Sequence, residues 1–484
     1  MTAQNFEKRP PVIVVLGHVD HGKTTLLSKI RESAMPKEPG KITQYTAAYE
    51  VEHHGKKLTF IDTPGHEAFS KMRSRGAKVA DLAILVVAVD DGVQPQTKEA
   101  IKVLKETETP FVVALNKVDK EGIDINKVKS ELTAEGVLLE GYGGNVSVQP
   151  ISGKTGQGVP ELLDLLLLAA DLEDLTYNPQ NPARGVILEV KLESRRGIVA
   201  TGILKDGMLR VGDPIISGSA SGKVKSLEDF LGKKIKEAIP SMPVLILGFE
   251  SLPQVGAEFL AGTAASRIDT NIPRTTRIKD ISEIRAPISD DSRVLNLILK
   301  ADVTGSLEAL VTVLENLPKP EKTVMKIIDQ SVGEITDGDV QLAISAKAKI
   351  IGFKTSPSRA AANLAQIHKV RIITSEVVYE LVKALEEEFK SLAKEVIRGD
   401  LEVLALFGKK GAKQQIVGGK VISGAIENNS ILEIERGEKV LGQGKVLNLQ
   451  QEKKDTAKVG AGNEGGLLVE SEVGIKIGDH LIMR

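Results

Sequence analysis

The stretch VIVVLGHVDHGKTTLLSKI, Val12 to Ile30, decides how the first third of the chain is read. Its opening run VIVVL is aliphatic at every position, the pattern of a strand covered on both faces. TTLLSKI suits a helix, from about Thr24 to Ser33. Between them Gly17 to Thr24 has the spacing G-x-x-x-x-G-K-T. A loop of that form wraps backbone N–H groups around a polyphosphate, with the Lys23 ammonium reaching the outer oxygens and the Thr24 hydroxyl reaching Mg²⁺. The helix turns its positive end toward the same anion. A glycine-rich turn that merely joins strand to helix is the plainer alternative. The strand before the loop and the helix after it are the context that phosphate binding requires.

Further apolar runs follow as far as Leu172, alternating with helical patterns: KLTFIDT, LAILVVAV, FVVALN and VQPIS. This rhythm predicts a doubly wound, mainly parallel sheet that binds its ligand at the carboxyl ends of its strands. Four short stretches fall at or near those ends. In DTPGH, Asp62 can hold Mg²⁺ through water and the Gly65 N–H can sense a terminal phosphate. In NKVD (Asn116, Lys117, Val118, Asp119), the Asp119 carboxylate can accept two hydrogen bonds from guanine, a donor pair that adenine lacks, while the Lys117 stem lies along the ring. SGK (Ser152, Gly153, Lys154) can bring N–H groups to the guanine oxygen. In ITQ, Thr43 is placed to complete the Mg²⁺ shell when a third phosphate is present, which makes its loop a two-state switch. With Val19, Asp20, His21, Gly22 and Thr25 of the first loop, the sum is a GTP-binding switch. His66, one residue beyond the phosphate-sensing glycine, is the candidate to position the attacking water. His18 and His21 belong to the phosphate loop. His53 and His54 are expected to face solvent, and no metal-ligand cluster is expected.

At 484 residues the chain is long enough for three to four domains. Apolar residues make up 41% and charged residues 27%, an ordinary globular composition, and a formal charge of −1 leaves any nucleic-acid contact to local patches. With no cysteine there are no disulfides or thiolate metal sites, which fits a reducing cytoplasm. No apolar run is long enough to span a bilayer, and LLDLLLLAA (Leu162 to Ala170) reads as a buried helical segment. MTAQNFEKRPP lacks the apolar core of a secretory signal.

The remainder divides by pattern. The first domain is expected over 1–175. A Pro/Asn-rich joint, TYNPQNPARG, leads into strands broken by Gly-Asp and Gly-Lys turns, a small β-barrel over 180–265. Arg267 to Asp291 reads as a linker with short helical pieces. Residues 292–375 alternate strand and helix as a second, smaller α/β domain. Residues 377–397 form a long amphipathic connecting helix, and 399–484 a second, C-terminal β-barrel. The two barrels share a Gly-Asp turn, expected before a terminal strand in each (Gly212-Asp213 and Gly478-Asp479). Candidate basic faces for RNA are Lys71–Arg73–Arg75–Lys78, Lys233–Lys234–Lys236 and Lys409–Lys410–Lys413.

GHVDHGKTT and DTPGHEAF resemble the translational GTPases. RPPVIVVLGHVDHGKTTLL, GKITQYTAAYEV and FIDTPGHEAFSKMRSRGAKVADLAILVVAVDDGVQPQTKEAI narrow the resemblance to bacterial-type translation initiation factor two, and LKADVTGSLEAL and IIGFKTSPSRAA are similar to that family's third domain. The resemblance implies a cytoplasmic, monomeric GTPase that uses GTP and Mg²⁺. It would act on the ribosome, bring initiator formyl-methionyl-tRNA to the small subunit and promote joining of the large one. It further associates Asp20 with a structural monovalent cation, sets Val19 and Ile42 as a hydrophobic gate beside His66, and has the long helix carry the C-terminal barrel toward the tRNA acceptor end. A tRNA-delivery factor of the elongation type, or a ribosome-binding assembly module gated by nucleotide, are the alternatives. The chain departs from the family in starting almost at the GTP-binding domain, without the usual long N-terminal extension, and in having Lys41 for a glycine. In the C-terminal barrel, Gln450-Gln451-Glu452 replace a basic pair and an aromatic, Gly465 stands in place of a cysteine between Glu464 and Gly466, and Gly419 replaces another. Phe407, Glu464 and Gly466 remain from the tRNA pocket, and the replaced residues leave open whether formyl-methionine is captured in the family's usual way.

Overall fold

Strand β1 (Val12–Gly17) is buried at every position, and its side chains alternate between two separate cores. Val12, Val14 and Leu16 enter one, Ile13 and Val15 the other. A continuous apolar run is therefore what the period-two geometry of a strand demands when both faces are covered. The computed structural model describes residues 6–34, 48–63, 69–267, 293–318, 323–393, 398–409, 413–437 and 439–483. They fall into two compact units, Met1–Glu386 and Glu387–Arg484.

In the first unit, β1 is followed by α1 (Lys23–Ala34), β2 (Ala48–His53), β3 (Lys56–Ile61), α2 (Ser70–Val79), β4 (Leu82–Ala88), α3 (Pro95–Glu106), β5 (Phe111–Asn116), α4 (Ile125–Ala134), β6 (Val148–Pro150) and α5 (Val159–Leu172). The sheet order is β2-β3-β1-β4-β5-β6, parallel except for the antiparallel edge strand β2. Helices α1 and α5 cover one face, and α2, α3 and α4 the other. The LLDLLLLAA segment buries one side alone: Leu162, Leu163 and Leu166 are inside, while Leu168 is 61% exposed.

Six antiparallel strands come next: β7 (Ala183–Glu193), β8 (Gly197–Asp206), β9 (Pro214–Ser217), β10 (Ala220–Glu228), β11 (Pro243–Phe249) and β12 (Glu258–Ala261). They close as β9-β12-β7-β8-β11-β10 and back to β9, a barrel with its own core around Ile187, Val244 and Phe259. A buried cluster ties it to the first sheet: Arg9 meets Asp81 at 2.6 Å, Lys205 meets the same carboxylate at 2.9 Å, and Thr59 donates to the Ser241 carbonyl. Most of the expected linker, residues 268–291, lies outside the described residues, as does residue 292 of the domain that follows.

A parallel sheet of order β14-β13-β15-β16 follows, from β13 (Arg293–Ala301), β14 (Thr323–Val332), β15 (Lys349–Phe353) and β16 (Ile372–Ser375). Its helices are α6 (Thr304–Glu315), α7 (Asp337–Ala346) and α8 (Arg359–His368). Helix α9 (Val378–Ala393) buries Val378, Leu381, Leu385 and Phe389 at helical spacing. Residues 394–397 of the expected connecting helix lie outside the described residues.

The second unit contains β17 (Gly399–Lys409), β18 (Gln414–Glu427), β19 (Ile431–Arg436), β20 (Lys439–Gln451), β21 (Glu464–Ser471) and β22 (His480–Met483). They close in the order β17-β22-β19-β20-β21-β18 and back to β17. The Gly-Asp turns of the two barrels are built alike. Gly212 and Gly478 have φ of 97° and 86°, and each following aspartate accepts a hydrogen bond from the N–H three residues earlier (Arg210 at 2.8 Å, Lys476 at 2.7 Å).

Candidate nucleotide site

The strand order turns back around β1, so the loops after β1, β3, β5 and β6 emerge at one edge of the sheet. Gly17 has φ 142°, and a Cβ there would lie 2.3 Å from the Val86 carbonyl oxygen; no other residue fits between β1 and β4. Gly22 has φ 87°, and its missing side chain leaves room for the Asn116 amide, 2.3 Å from where a Cβ would stand.

Asn116 then joins three loops. Its Nδ2 donates to the His21 carbonyl at 2.8 Å, and its Oδ1 accepts from the Gly153 N–H at 2.9 Å. Ser152, fully buried, donates to Asp119 Oδ1 at 2.7 Å, and this hydrogen bond holds the Asp119 carboxyl below its ordinary range. Lys117 has φ 69°, and its ammonium sits 3.3 Å from Asp90. Lys23 and Asp119 therefore share one edge of the sheet, linked through Asn116, Gly153 and Ser152.

Inside the first loop, Lys23 is 7% exposed and its Nζ donates to the carbonyls of Gly17 at 2.7 Å and His18 at 2.5 Å. Burial, then the Arg73 charge, lowers its pKa to about 8. Asp20 adopts φ 64°, and the Val19 N–H donates to Gln96 Oε1 at 2.8 Å. His21 is fully buried, with ring nitrogens at 3.4 Å from the Val86 carbonyl and 3.2 Å from Asp91; desolvation lowers its pKa. Its side chain turns into the protein and leaves its backbone to the loop. Thr24, Thr25 and Lys154 are exposed. Burial raises the pKa of Asp62, against the charges of Arg31 and Lys23. Ile42, Thr43, Gly65 and His66 lie outside the described residues.

Three further residues at this edge give no sequence signal of their own. Arg31 lies 4.4 Å over the Tyr49 ring while its charge reaches Asp62. Asp91 receives His21, and Asp90 gathers Lys117 and Lys120.

Two sequence expectations need correction. Lys71–Arg73–Arg75–Lys78 is not a free basic face, because Arg73 is buried against Glu99 at 2.9 Å and Arg75 makes two bonds to Glu308 at 2.8 and 2.9 Å. His53 does not face solvent freely and a ligand-type cluster does exist: both His53 and His54 approach Asp164. Of the other basic faces, Lys233, Lys234 and Lys236 are exposed, Lys413 pairs with Glu472, and Lys410 lies outside the described residues.

In the C-terminal barrel, Gln450, Gly466 and Gly418 are neighbours across three strands, with Gly465 opposite Gly419 and Glu464 opposite Lys420. Nothing lies within 4 Å of where a Gly466 Cβ would be. The Phe407 ring, 70% exposed, comes within 2.7 Å of a Cβ built on Gly418. Gln450 is held by Asp455 at 2.7 Å, and Glu452 has φ 51° in the following turn.

Residues 33–171 match the Elongation factor Tu GTP binding domain family, 182–262 match Elongation factor G domain 2, and 272–386 match Translation-initiation factor 2. Over 98% of its length the chain is 41% identical to translation initiation factor IF-2 of Thermoanaerobacter sp. (strain X514), covering 71% of that protein. The chain belongs to the translation initiation factor IF-2 family. It is a guanine-nucleotide-binding GTPase of the initiation class. It is 40% identical to the IF-2 of Solibacter usitatus (strain Ellin6076) and spans 49% of that longer relative. Among solved structures, GDP-bound aIF5B from Aeropyrum pernix is 27% identical at a TM-score of 0.45, covering 99% of this chain and 92% of that one. Among the described residues no helix is long and apolar enough to cross a membrane.

Proposed function

We propose that this IF-2 family member is a ribosome-dependent GTPase that promotes initiator-tRNA binding and subunit joining, with hydrolysis as the release step. The observation that carries the reading is the Asn116 bridge, which makes the phosphate loop and the base-reading loops one rigid unit. Asp119, oriented by Ser152, reads guanine. Lys23 exchanges its two carbonyl partners for phosphate oxygens. The Thr24 hydroxyl and the Asp62 carboxylate suit Mg²⁺, because both are hard oxygen donors and Asp62 lies near Lys23 of the phosphate loop. When bound there, Mg²⁺ would neutralise charge developing on the phosphates. Thr43 completes its shell, and His66 positions water within the gate of Val19 and Ile42. Asp20 is the candidate for a monovalent cation. The working protein is a monomer in the cytoplasm.

The domain divisions 1–175, 180–265, 292–375, 377–397 and 399–484 are part of this reading. The C-terminal barrel approaches the tRNA end through the open floor at Gly466 beside Phe407, and without the basic pair and cysteines of its relatives it does not select the formyl group. Calorimetry should find GTP bound at least about a hundredfold tighter than ATP, as expected when a base-reading carboxylate loses its paired donors; equal affinities refute the base-reading role of Asp119. Ribosome-stimulated turnover that survives His66→Ala refutes the role of His66. Tighter binding of formylated than unformylated initiator tRNA would refute the loss of selection.

A further inference from the structure

At the far edge of the first sheet, the turn between β2 and β3 carries two adjacent histidines. His53 pairs with Lys56 across the hairpin, leaving His54 and Gly55 as a two-residue turn with φ 50° and 73°. Neighbours on a strand point to opposite faces. The left-handed turn at His54 brings its ring back instead, with its centroid 4.1 Å from that of His53. Both rings face one carboxylate on α5: Nε2 of His53 lies 2.7 Å and Nε2 of His54 3.3 Å from Asp164 Oδ1. All three donor atoms lie within 4.8 Å of one another.

We propose that His53, His54 and Asp164 bind one divalent transition ion of the zinc class, clipping the β2–β3 hairpin to α5. A tetrahedral ion with bonds of about 2.0–2.1 Å sets its ligand atoms roughly 3.3 Å apart. Of the three donor pairs, His54–Asp164 already has that spacing, His53–Asp164 opens by about 0.6 Å, and the two histidine nitrogens lie within 4.8 Å of each other. Imidazole nitrogen with a carboxylate suits Zn²⁺, Co²⁺ or Ni²⁺ over the hard ions Mg²⁺ and Ca²⁺. His54 is 72% and Asp164 54% exposed, so the fourth position opens to water and the ion has a path in. The neighbouring cation does not oppose it, since the Lys56 ammonium is held 3.0 Å from Asp171, two turns further along α5. The site is separate from the nucleotide Mg²⁺. Strand β3 starts beside it and ends next to Asp62, six residues and about 20 Å away.

The test is Zn²⁺ titration of the full chain loaded with Mg²⁺ and GDP, followed by calorimetry and, with Co²⁺, by visible absorption. His54→Asn keeps a residue that tolerates the left-handed turn, and Asp164→Asn keeps the size of an exposed side chain; circular dichroism checks that both fold. The wild type should bind one ion at the site, and each variant about a hundredfold more weakly or worse, since even loss of an outer partner costs up to that factor. The cobalt band should vanish in both, and Zn²⁺ should raise the melting midpoint of the wild type alone. Binding of equal strength in the wild type and both variants places the ion elsewhere and overturns the proposal. Absence of Zn²⁺ heat and of a cobalt band in the wild type overturns it equally.

Discussion

Asn116→Ala removes two hydrogen bonds at one buried point, 2.8 Å to the His21 carbonyl and 2.9 Å to the Gly153 N–H. Asn116 itself is 2% exposed, so water does not replace the amide freely, and both partners are left unsatisfied. Each such loss costs about 1–3 kcal/mol, about 2–6 kcal/mol for the pair. The cost divides between two readouts. If the loops stay in place, folding stability falls; if they part, the phosphate loop and Gly153 no longer meet the nucleotide together and affinity falls. Equilibrium titration with a fluorescent GDP analogue, paired with denaturant unfolding, measures both, and their sum should reach that range. A loss of 3 kcal/mol taken wholly in binding is a factor of about 150 in Kd. Ser152→Ala is the internal comparison: it removes the bond to the exposed Asp119 carboxylate and the one Ser152 Oγ accepts from the Thr155 N–H, and loss of the first alone should weaken GDP about fivefold, near the 1 kcal/mol of a single net bond. Asn116→Ala protein with GDP affinity within threefold of wild type and an unchanged unfolding midpoint would refute the bridge as what holds these loops together.

Because burial keeps the Lys23 pKa near 8, and a polyphosphate must raise it, binding takes up a proton above pH 8; GDP affinity should fall by up to tenfold per pH unit there, and calorimetry at pH 8.5 in buffers of different ionisation enthalpy should detect the uptake. Glu189, raised to about 7 by burial and then by Asp302, contributes stability that is complete below about 4.5 and lost as pH climbs through 7. Glu189→Gln should therefore gain on the wild type by about 1–3 kcal/mol between pH 4.5 and 7.5 in denaturant unfolding; parallel curves would remove Glu189 as the titrating group. A double-mutant cycle on Arg75 and Glu308, a half-buried two-bond pair, should give a coupling of about 1–2 kcal/mol, and a value near zero would make it a surface pair of no consequence.

What was legible in the sequence was whatever depends on residues close together in the chain. VIVVL alternates between two cores because a strand has a period of two. The placement of GHVDHGKT, NKVD and SGK at strand ends was readable because each is a short segment that follows an apolar run. The Asn116 bridge was not, since its partners lie 95 and 37 residues away. Nor was the burial of Arg73: four basic residues on a helix look like a solvated face until Glu99 and Glu308 arrive from other helices. The same holds for the histidine pair, where an i+1 spacing predicts opposite faces and a single left-handed residue reverses it. Gly419 reads as a lost cysteine, but a Cβ there would stand 2.3 Å from Leu401 Cδ2, so Leu401 occupies the space that a larger residue needs.

Helix α2 shows how the nucleotide edge is joined to the rest of its unit. It begins at Ser70, shortly after the DTPGH motif, and two glycines on other elements make room for its side chains. A Cβ on Gly305, in α6, would stand 1.9 Å from Met72 Cε; one on Gly256, just before β12, would stand 3.0 Å from Arg75 Cδ. Arg75 also reaches across to Glu308 with both guanidinium nitrogens. One helical turn on from Met72, a Cβ on Gly76 would lie 3.0 Å from Val14 and 3.1 Å from Thr63. Close packing at these contacts leaves little room for small adjustments, although Lys71 and Lys78 face outward. A displacement of α2 must therefore break the Arg75–Glu308 pair and unseat Met72 together, or carry α6 along with it.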